Sequence, residues 1–299
     1  MAYFVTGATG FIGSRIVPEL IDAGHEVLGL ARSDRGAAAL ARAGAQAFRG
    51  SLEDPVALAQ GAVGADAVIH TAFDHNFSRF VENCEKERRV IEAIGDVLAG
   101  SNVPFLITSG VGMGAMAPGE VAVEQNVDRN NPNPRRVSEI TGEAVAAKGV
   151  SVAVVRLPQV HDTERQGVIS PMIEIAKARG FVAYVEEGSG RWPAAHVLDV
   201  AHLYRLALDR HQSGARYHAV AEEGVASRAI AETIGSRLNL PVRSLAADEV
   251  ADYYGHFAQF AMSDMPASSA WTREALNWRP SRRGLLDDLR ELNSAAVMA

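Results

Sequence analysis

The chain has 299 residues, 47% of them apolar and 22% charged, with a formal net charge of -7. That length can bury a large core in one or two domains, and an acidic chain without a basic run excludes nucleic acid as the expected partner. The single Cys84 excludes an internal disulfide and a cysteine-rich metal site.

No basic segment followed by a long apolar run opens the chain, and no stretch reaches the about 18 apolar residues of a membrane helix. The expectation is a cytoplasmic enzyme or sensor with no membrane partner. "YFVT" (3–6) predicts a short buried strand, and "FIGSRIVPELIDAG" (11–24) a helix. A strand over 26–32 and a helix over 34–44 follow, then strands over 45–50 and 66–72 around a short helix near 54–60. A long amphipathic helix covers 77–100, a fifth strand 104–110, a further helix 135–149 and a sixth strand 151–158. Short apolar strands alternating with helices predict an α/β fold built on a doubly wound parallel sheet.

The rhythm changes after residue 158. The stretch 159–196 shows little strand pattern, 197–210 predicts a helix, and 215–221 a strand returning to the sheet. Residues 223–299 predict short helices with "LNLPVRSL" (238–245) between them. The expected organisation is a cofactor domain over 1–158, rejoined by 197–222, and a substrate region formed by 159–196 and 223–299.

Three glycines stand in "TGATGFIG", after the first strand and at the opening of the first helix. That context matches a dinucleotide turn: Gly7 for the tight turn, Gly10 for approach of the pyrophosphate, Gly13 for close packing of helix on sheet. The backbone of Thr9, Phe11 and Ile12, with the positive end of the helix, then holds the phosphates. At the end of the second strand Ala31 occupies the position of the carboxylate that binds a ribose 2′-hydroxyl. Arg32 and Ser33 follow, and a guanidinium beside a hydroxyl suits a 2′-phosphate, so NADP is the expected cofactor. The alternative is that Arg32 is a solvated charge and Asp34 serves the ribose of NAD.

These motifs resemble the short-chain dehydrogenase/reductase superfamily, in particular its extended branch of nucleotide-sugar epimerases and dihydroflavonol-type reductases. "TGATGFIG" is similar to that branch's TGxxGxxG. "RGSLEDP" (49–55) is similar to its GDLxDP, with Ser51 in place of the aspartate and Leu52 beside it; the resemblance places both at the adenine. "DAVIHTAF" (66–73) resembles the D-x-V-x-H-x-A that brings Thr71, Ala72 and Phe73 to the ribose. "ITSG" (107–110) resembles the strand end that carries a catalytic serine, which assigns Ser109 that role and Thr108 a cofactor contact. "VVRLPQVHD" (154–162) resembles the segment that brings Arg156 and Pro158 to the nicotinamide. "RWPAAHVLDVA" (191–201) resembles the R-x-x-x-H-V-x-D-V-A stretch after the substrate loop.

One departure stands out. The superfamily's catalytic Tyr-x-x-x-Lys aligns with Arg135 and Glu139, and no tyrosine occurs between Tyr3 and Tyr184. Without that acid, Ser109 is the expected hydrogen-bond donor to a substrate oxygen, or else only the end of a buried strand. His75 and His161 are the candidate proton donors, each with a structural role as the alternative. Tyr184, Arg191 and Trp192 are the candidate substrate contacts. In sugar-nucleotide enzymes the arginine position binds phosphate; beside Trp192 it can instead close a pocket over a neutral substrate. His161, Asp162 and Glu164 share a loop without a fixed ligand spacing, so no metal is expected. The long charged helix is a candidate homodimer surface.

The resulting expectation is an NADPH-dependent reductase of a small carbonyl-like substrate. The alternatives are a nucleotide-sugar epimerase or dehydratase, and a non-catalytic NADP-binding redox sensor.

Overall fold

In a computed structural model, residues 1–293 are described; residues 294–299 of the expected substrate region lie outside them. Twelve strands occur in this span: β1 Ala2–Thr6, β2 Glu26–Ala31, β3 Gln46–Arg49, β4 Ala67–His70, β5 Pro104–Gly110, β6 Ser151–Leu157, β7 Gln159–His161, β8 Val182–Val185, β9 Arg191–His196, β10 Arg216–His218, β11 Glu222–Ala226 and β12 Val242–Leu245. The α-helices are α1 Gly13–Asp22, α2 Asp34–Arg42, α3 Pro55–Ala59, α4 Phe80–Leu98, α5 Val137–Ala146, α6 Ile169–Arg179, α7 Val197–Asp209, α8 Ser227–Leu238, α9 Val250–Tyr254, α10 Ala258–Ala261, α11 Ala270–Leu276 and α12 Leu285–Arg290.

Seven strands form one parallel sheet in the order β10-β6-β5-β4-β1-β2-β3. Helices cover both faces because the central strands are apolar on both. Within β1, Phe4 joins one core with Leu58, Val90 and Ile94, while Tyr3 and Val5 join the other with Ile16, Leu20 and Tyr204. Successive strand residues point to opposite faces, so one five-residue strand anchors two layers. The order runs outward in both directions from the β1–β4 pair, and the crevice at their carboxyl ends is where a doubly wound sheet takes its ligand.

The predicted strand over 215–221 is β10, which pairs parallel to β6. The stretch 159–196, which shows little strand pattern in the sequence, carries three strands: β7, β8 and β9. β7 and β9 belong to a three-stranded sheet β11-β9-β7, and β8 pairs with β12. β7 has only three residues and β8 and β12 four each, too short for alternation to stand out from loop. These small sheets, with α6, α8, α9 and α12, pack around Ile173, Trp192, Ile230 and Leu289 and around Tyr253, Tyr254 and Phe257. Among the described residues, no helix is long and apolar enough to cross a membrane.

Candidate dinucleotide and substrate site

The three opening glycines do three different jobs. Gly7 has φ +69°, and a Cβ there would lie 2.6 Å from Thr71 Oγ1 and 2.7 Å from the Ala72 nitrogen. It therefore lets the turn press against the end of β4. A Cβ on Gly13 would lie 2.1 Å from the Gly7 carbonyl oxygen, so α1 can start only as close as it does with glycine there. A Cβ on Gly10 would meet only the Gly7 oxygen at 3.1 Å and otherwise open space. That open side is where a pyrophosphate would approach. The first turn of α1 has no side-chain cap and no acidic residue, whereas α2 and α3 are capped by Ser33 and Asp54. An uncapped amino end leaves its N–H groups and positive dipole to an anion.

Thr9 is exposed on the rim of this turn, and Phe11 and Ile12 are half-buried against the core below it. At the end of β2, Ala31 is buried and Arg32 and Ser33 are exposed. The Ser33 hydroxyl accepts from the Gly36 nitrogen at 3.2 Å, and Asp34 is fully exposed in a pair with Arg49 at 2.8 Å. Among the described residues Arg32 makes no hydrogen bond or ion pair. Ser51 caps its own turn through the Glu53 nitrogen, and Leu52 packs on the core below. Lys86 of α4, nearly buried, reaches Glu53 and Asp74 and so ties the loop after β3 to the loop after β4.

The floor of the site is a buried polar chain. The Ala72 nitrogen donates to Thr6 Oγ1, which lies 2.7 Å from His70 Nδ1, and Thr71 Oγ1 donates to the Thr6 carbonyl. Thr108 donates to the His70 carbonyl at 2.7 Å and shares a 2.7 Å hydrogen bond with Tyr204, so its side chain is committed to the interior. Burial first, then the charge on Arg135, hold the His70 pKa down to about 3. Its Nε2 and Glu87 Oε1 lie 3.9 Å apart, and neither has a hydrogen-bond partner.

Two ion pairs flank this floor. Glu87 of α4 binds Arg135 and accepts from Ser138 at 2.8 Å. The Arg135 guanidinium lies 3.9 Å from the centre of the Phe73 ring and donates to the Thr108 carbonyl at 3.3 Å. Glu139, one helical turn on, takes both oxygens to Arg156 at 2.8 Å and one to Arg216 at 3.1 Å. Arg156 is fully buried, and the Val123 and Asn126 carbonyls and His218 take its remaining donors. All five of its N–H groups are thus committed within the protein. Burial alone would raise the Glu139 carboxyl; Arg156, then Ser109 and Arg216, outweigh it and hold its pKa below the ordinary value. The Ser109 hydroxyl is near enough to help hold that carboxylate ionised, but it makes no hydrogen bond within the described residues.

His75 stands at the mouth in an aromatic run, 5.2 Å from Phe73 and 6.3 Å from Phe77, and Phe77 lies 5.2 Å from Phe257 of the second region. His75 is exposed as a residue, yet protein crowding its ring, then the Arg135 charge, lowers its pKa. His161 lies elsewhere. It is fully buried on β7, its Nδ1 is 2.7 Å from Asp288 of α12, and its Nε2 is unpartnered. The structure therefore gathers the opening turn, Arg32, Ser33, Thr71–Phe73, His75, Pro158 and Ser109 around the carboxyl ends of the strands, but not His161 and not the side chain of Arg156. Glu87, Arg135 and Glu139 complete the floor and had no pairing signal in the sequence.

The model of the NAD dependent epimerase/dehydratase family matches residues 3–221. The chain belongs to that family. An uncharacterised protein of Schizosaccharomyces pombe is 43% identical over 290 residues, 97% of this chain and 98% of that one. A UDP-glucose 4-epimerase of Streptomyces lividans is 26% identical over 320 residues, 95% of this chain and 92% of its own. The solved structure of a dTDP-glucose 4,6-dehydratase from Streptomyces venezuelae, with NAD bound, superposes with a TM-score of 0.74 at 19% identity, covering 98% of this chain and 95% of that one. That likeness is of fold. The glycine cradle and uncapped α1 of this family member fit a dinucleotide, with Gly7, Gly10 and Gly13 shaping the turn its phosphates would approach.

In the second region, Arg191 is bonded through Nε and Nη2 to Asp264 at 3.0 and 2.7 Å, and to the Gly119 carbonyl at 3.2 Å. Beside it, Trp192 is 3% exposed and its indole N–H has no partner. Trp192 and Tyr184 line a narrow apolar cavity with Ile169, Met172, Ile230 and Tyr254. The Tyr254 hydroxyl donates to the Ala183 carbonyl, so only its ring faces that space.

The buried histidines set an acid limit. Burial and the neighbouring arginine charge hold both His70 and His218 near pKa 3, against 6.5 in the unfolded chain. Between those values the unfolded state binds more protons. Stability should therefore fall on acidification below about pH 6.5, approaching about 1.4 kcal/mol per pH unit for each histidine. Thermal unfolding from pH 7 to 5 checks this: His70→Asn should flatten the slope, and an unchanged slope would contradict it.

Proposed function

We propose that the chain is an NADPH-dependent reductase of a small, largely apolar carbonyl compound. The observation that carries this reading is the engagement of Arg191 by Asp264. Its Nε and Nη2 are already engaged by Asp264 and the Gly119 carbonyl, and the cavity beside it is apolar with one unpartnered donor on Trp192. Such a region suits a neutral molecule with an acceptor oxygen better than a nucleoside diphosphate. Tyr184 and Trp192 are the proposed substrate contacts, Ser109 the proposed donor to the oxygen, and His75 the proposed group at the proton entry. For His161, locked to Asp288, the proposed role is to fix α12 against β7.

The preference for NADPH rests on Arg32. An exposed pair such as Asp34–Arg49 is worth little, so Asp34 alone decides nothing. Arg32 is uncommitted beside the capped start of α2, where a 2′-phosphate would lie. The epimerase reading draws on the family and on the Streptomyces lividans relative, which is a UDP-glucose 4-epimerase. The bound Arg191 and the replacement of the superfamily's Tyr-x-x-x-Lys by Arg135 and Glu139 weigh against it. The same replacement favours a sensor, but a sensor has no need of a substrate cavity. Exposed Val81 on α4 and Ile140 on α5 support the homodimer.

The test is titration with NADPH and NADH, followed by a panel of ketones, aldehydes, imines and activated alkenes. A lost phosphate contact is worth about 1.5–3 kcal/mol, so Arg32→Ala should weaken NADPH roughly tenfold or more and spare NADH. Tighter binding of NADH by the wild type would overturn the cofactor assignment. NADP-dependent change of oligomeric state without any turnover would favour the sensor.

A further inference from the structure

Arg135, mostly buried, and Arg156, fully buried, each have a buried carboxylate partner, but they differ in what they have left to give. Every donor of Arg156 is committed. Arg135 spends one N–H on Glu87 and one on the Thr108 carbonyl; among the described residues its Nε and the other two N–H groups meet no acceptor. Its side chain is 14% exposed, against 1% for Glu87. The guanidinium carbon lies 3.9 Å from the centre of the Phe73 ring, and its bond to the Thr108 carbonyl fixes it at the end of β5, one residue from Ser109. A cation locked on two sides, with unspent donors at the carboxyl ends of β4 and β5, is built to receive an oxygen.

We propose that Arg135 holds the substrate's reacting oxygen, and that Glu87 and Phe73 are its positioning residues. The proposal rests on the reductase reading given above. When bound, the dinucleotide supplies a hydride. The carbonyl carbon gains that hydride, the C=O electron pair moves onto oxygen, and the guanidinium stabilises the developing negative charge. A guanidinium does not release its proton at neutral pH, so the oxygen is protonated by water at the mouth, leaving hydroxide to the solvent. The substrate class that follows is a carbonyl whose oxygen can sit beside an aromatic ring, and carboxylates that mimic the alkoxide should compete for the same place. The alternative is that Arg135 only neutralises Glu87.

The experiment compares wild type, Arg135→Lys, Arg135→Met and the charge-free pair Arg135→Met with Glu87→Gln. The last guards against misfolding caused by a lone buried Glu87. Calorimetry measures NADP binding, then benzoate binding to the NADP-loaded protein; kinetics follow on the panel substrates. NADP affinity should stay within about twofold while benzoate binding falls at least tenfold in both Met forms. The kcat should fall about 100-fold in both and recover in part with Lys or with added guanidinium. Benzoate binding that is absent from wild type or unchanged in the Met forms overturns the proposal. So does a kcat loss without rescue by Lys or guanidinium. If no panel member turns over but benzoate binding still depends on Arg135, the anion site stands and the reductase reading fails.

Discussion

Gly10→Val should give a folded protein that binds no dinucleotide, whereas Gly13→Ala should lose stability as well as binding. The two positions are three residues apart in one turn, and their surroundings separate them. A side chain on Gly10 projects into open space where the phosphates must come, and meets only the Gly7 oxygen at 3.1 Å. A single methyl on Gly13 would sit 2.1 Å from that same oxygen, which is backbone and cannot swing aside. Either α1 lifts from the sheet or the turn deforms, at or above the upper end of the about 1–3 kcal/mol typical of overpacking. Thermal unfolding and calorimetry with NADPH measure both. Unchanged binding in Gly10→Val would reduce the opening motif to a turn, and a wild-type melting temperature in Gly13→Ala would contradict the packing argument.

Arg156→Met should destabilise the fold by about 3–5 kcal/mol, the range for removing one partner of a buried pair. Glu139 would keep only Arg216 and Ser109 near a carboxylate that is 2% exposed, and the Val123 and Asn126 carbonyls would lose a donor. Adding Glu139→Gln should recover part of the loss, because no unpaired charge then remains inside. Denaturant unfolding of both variants checks this. A cost below about 1 kcal/mol for Arg156→Met would show that the pair is not what holds α5 to β6.

The sheet was readable because its central strands are apolar on both faces and its strands alternate with helices, and the phosphate turn because glycines, strand and helix coincide in sixteen residues. The position of Arg32, directly after β2, was readable for the same reason. The floor of the site was not. Arg135 and Glu87 are 48 residues apart and His161 and Asp288 are 127 apart, and no local pattern announces such pairs. Arg156 sat in a motif that resembled a nicotinamide contact, yet its side chain turns to the β10 edge. The small sheets were not readable because their shortest strands, of three and four residues, span too few alternations to stand out from loop.

The most direct test of the reductase account follows deuterium from NADPH deuterated at both C4 positions into product, using the carbonyl substrate the wild type turns over fastest. The account predicts one deuterium on the former carbonyl carbon, an equal amount of NADP, and no transfer with Gly10→Val. Turnover that returns the label to the dinucleotide with no net oxidation, as an epimerase would give, or no turnover of any panel member, would contradict it.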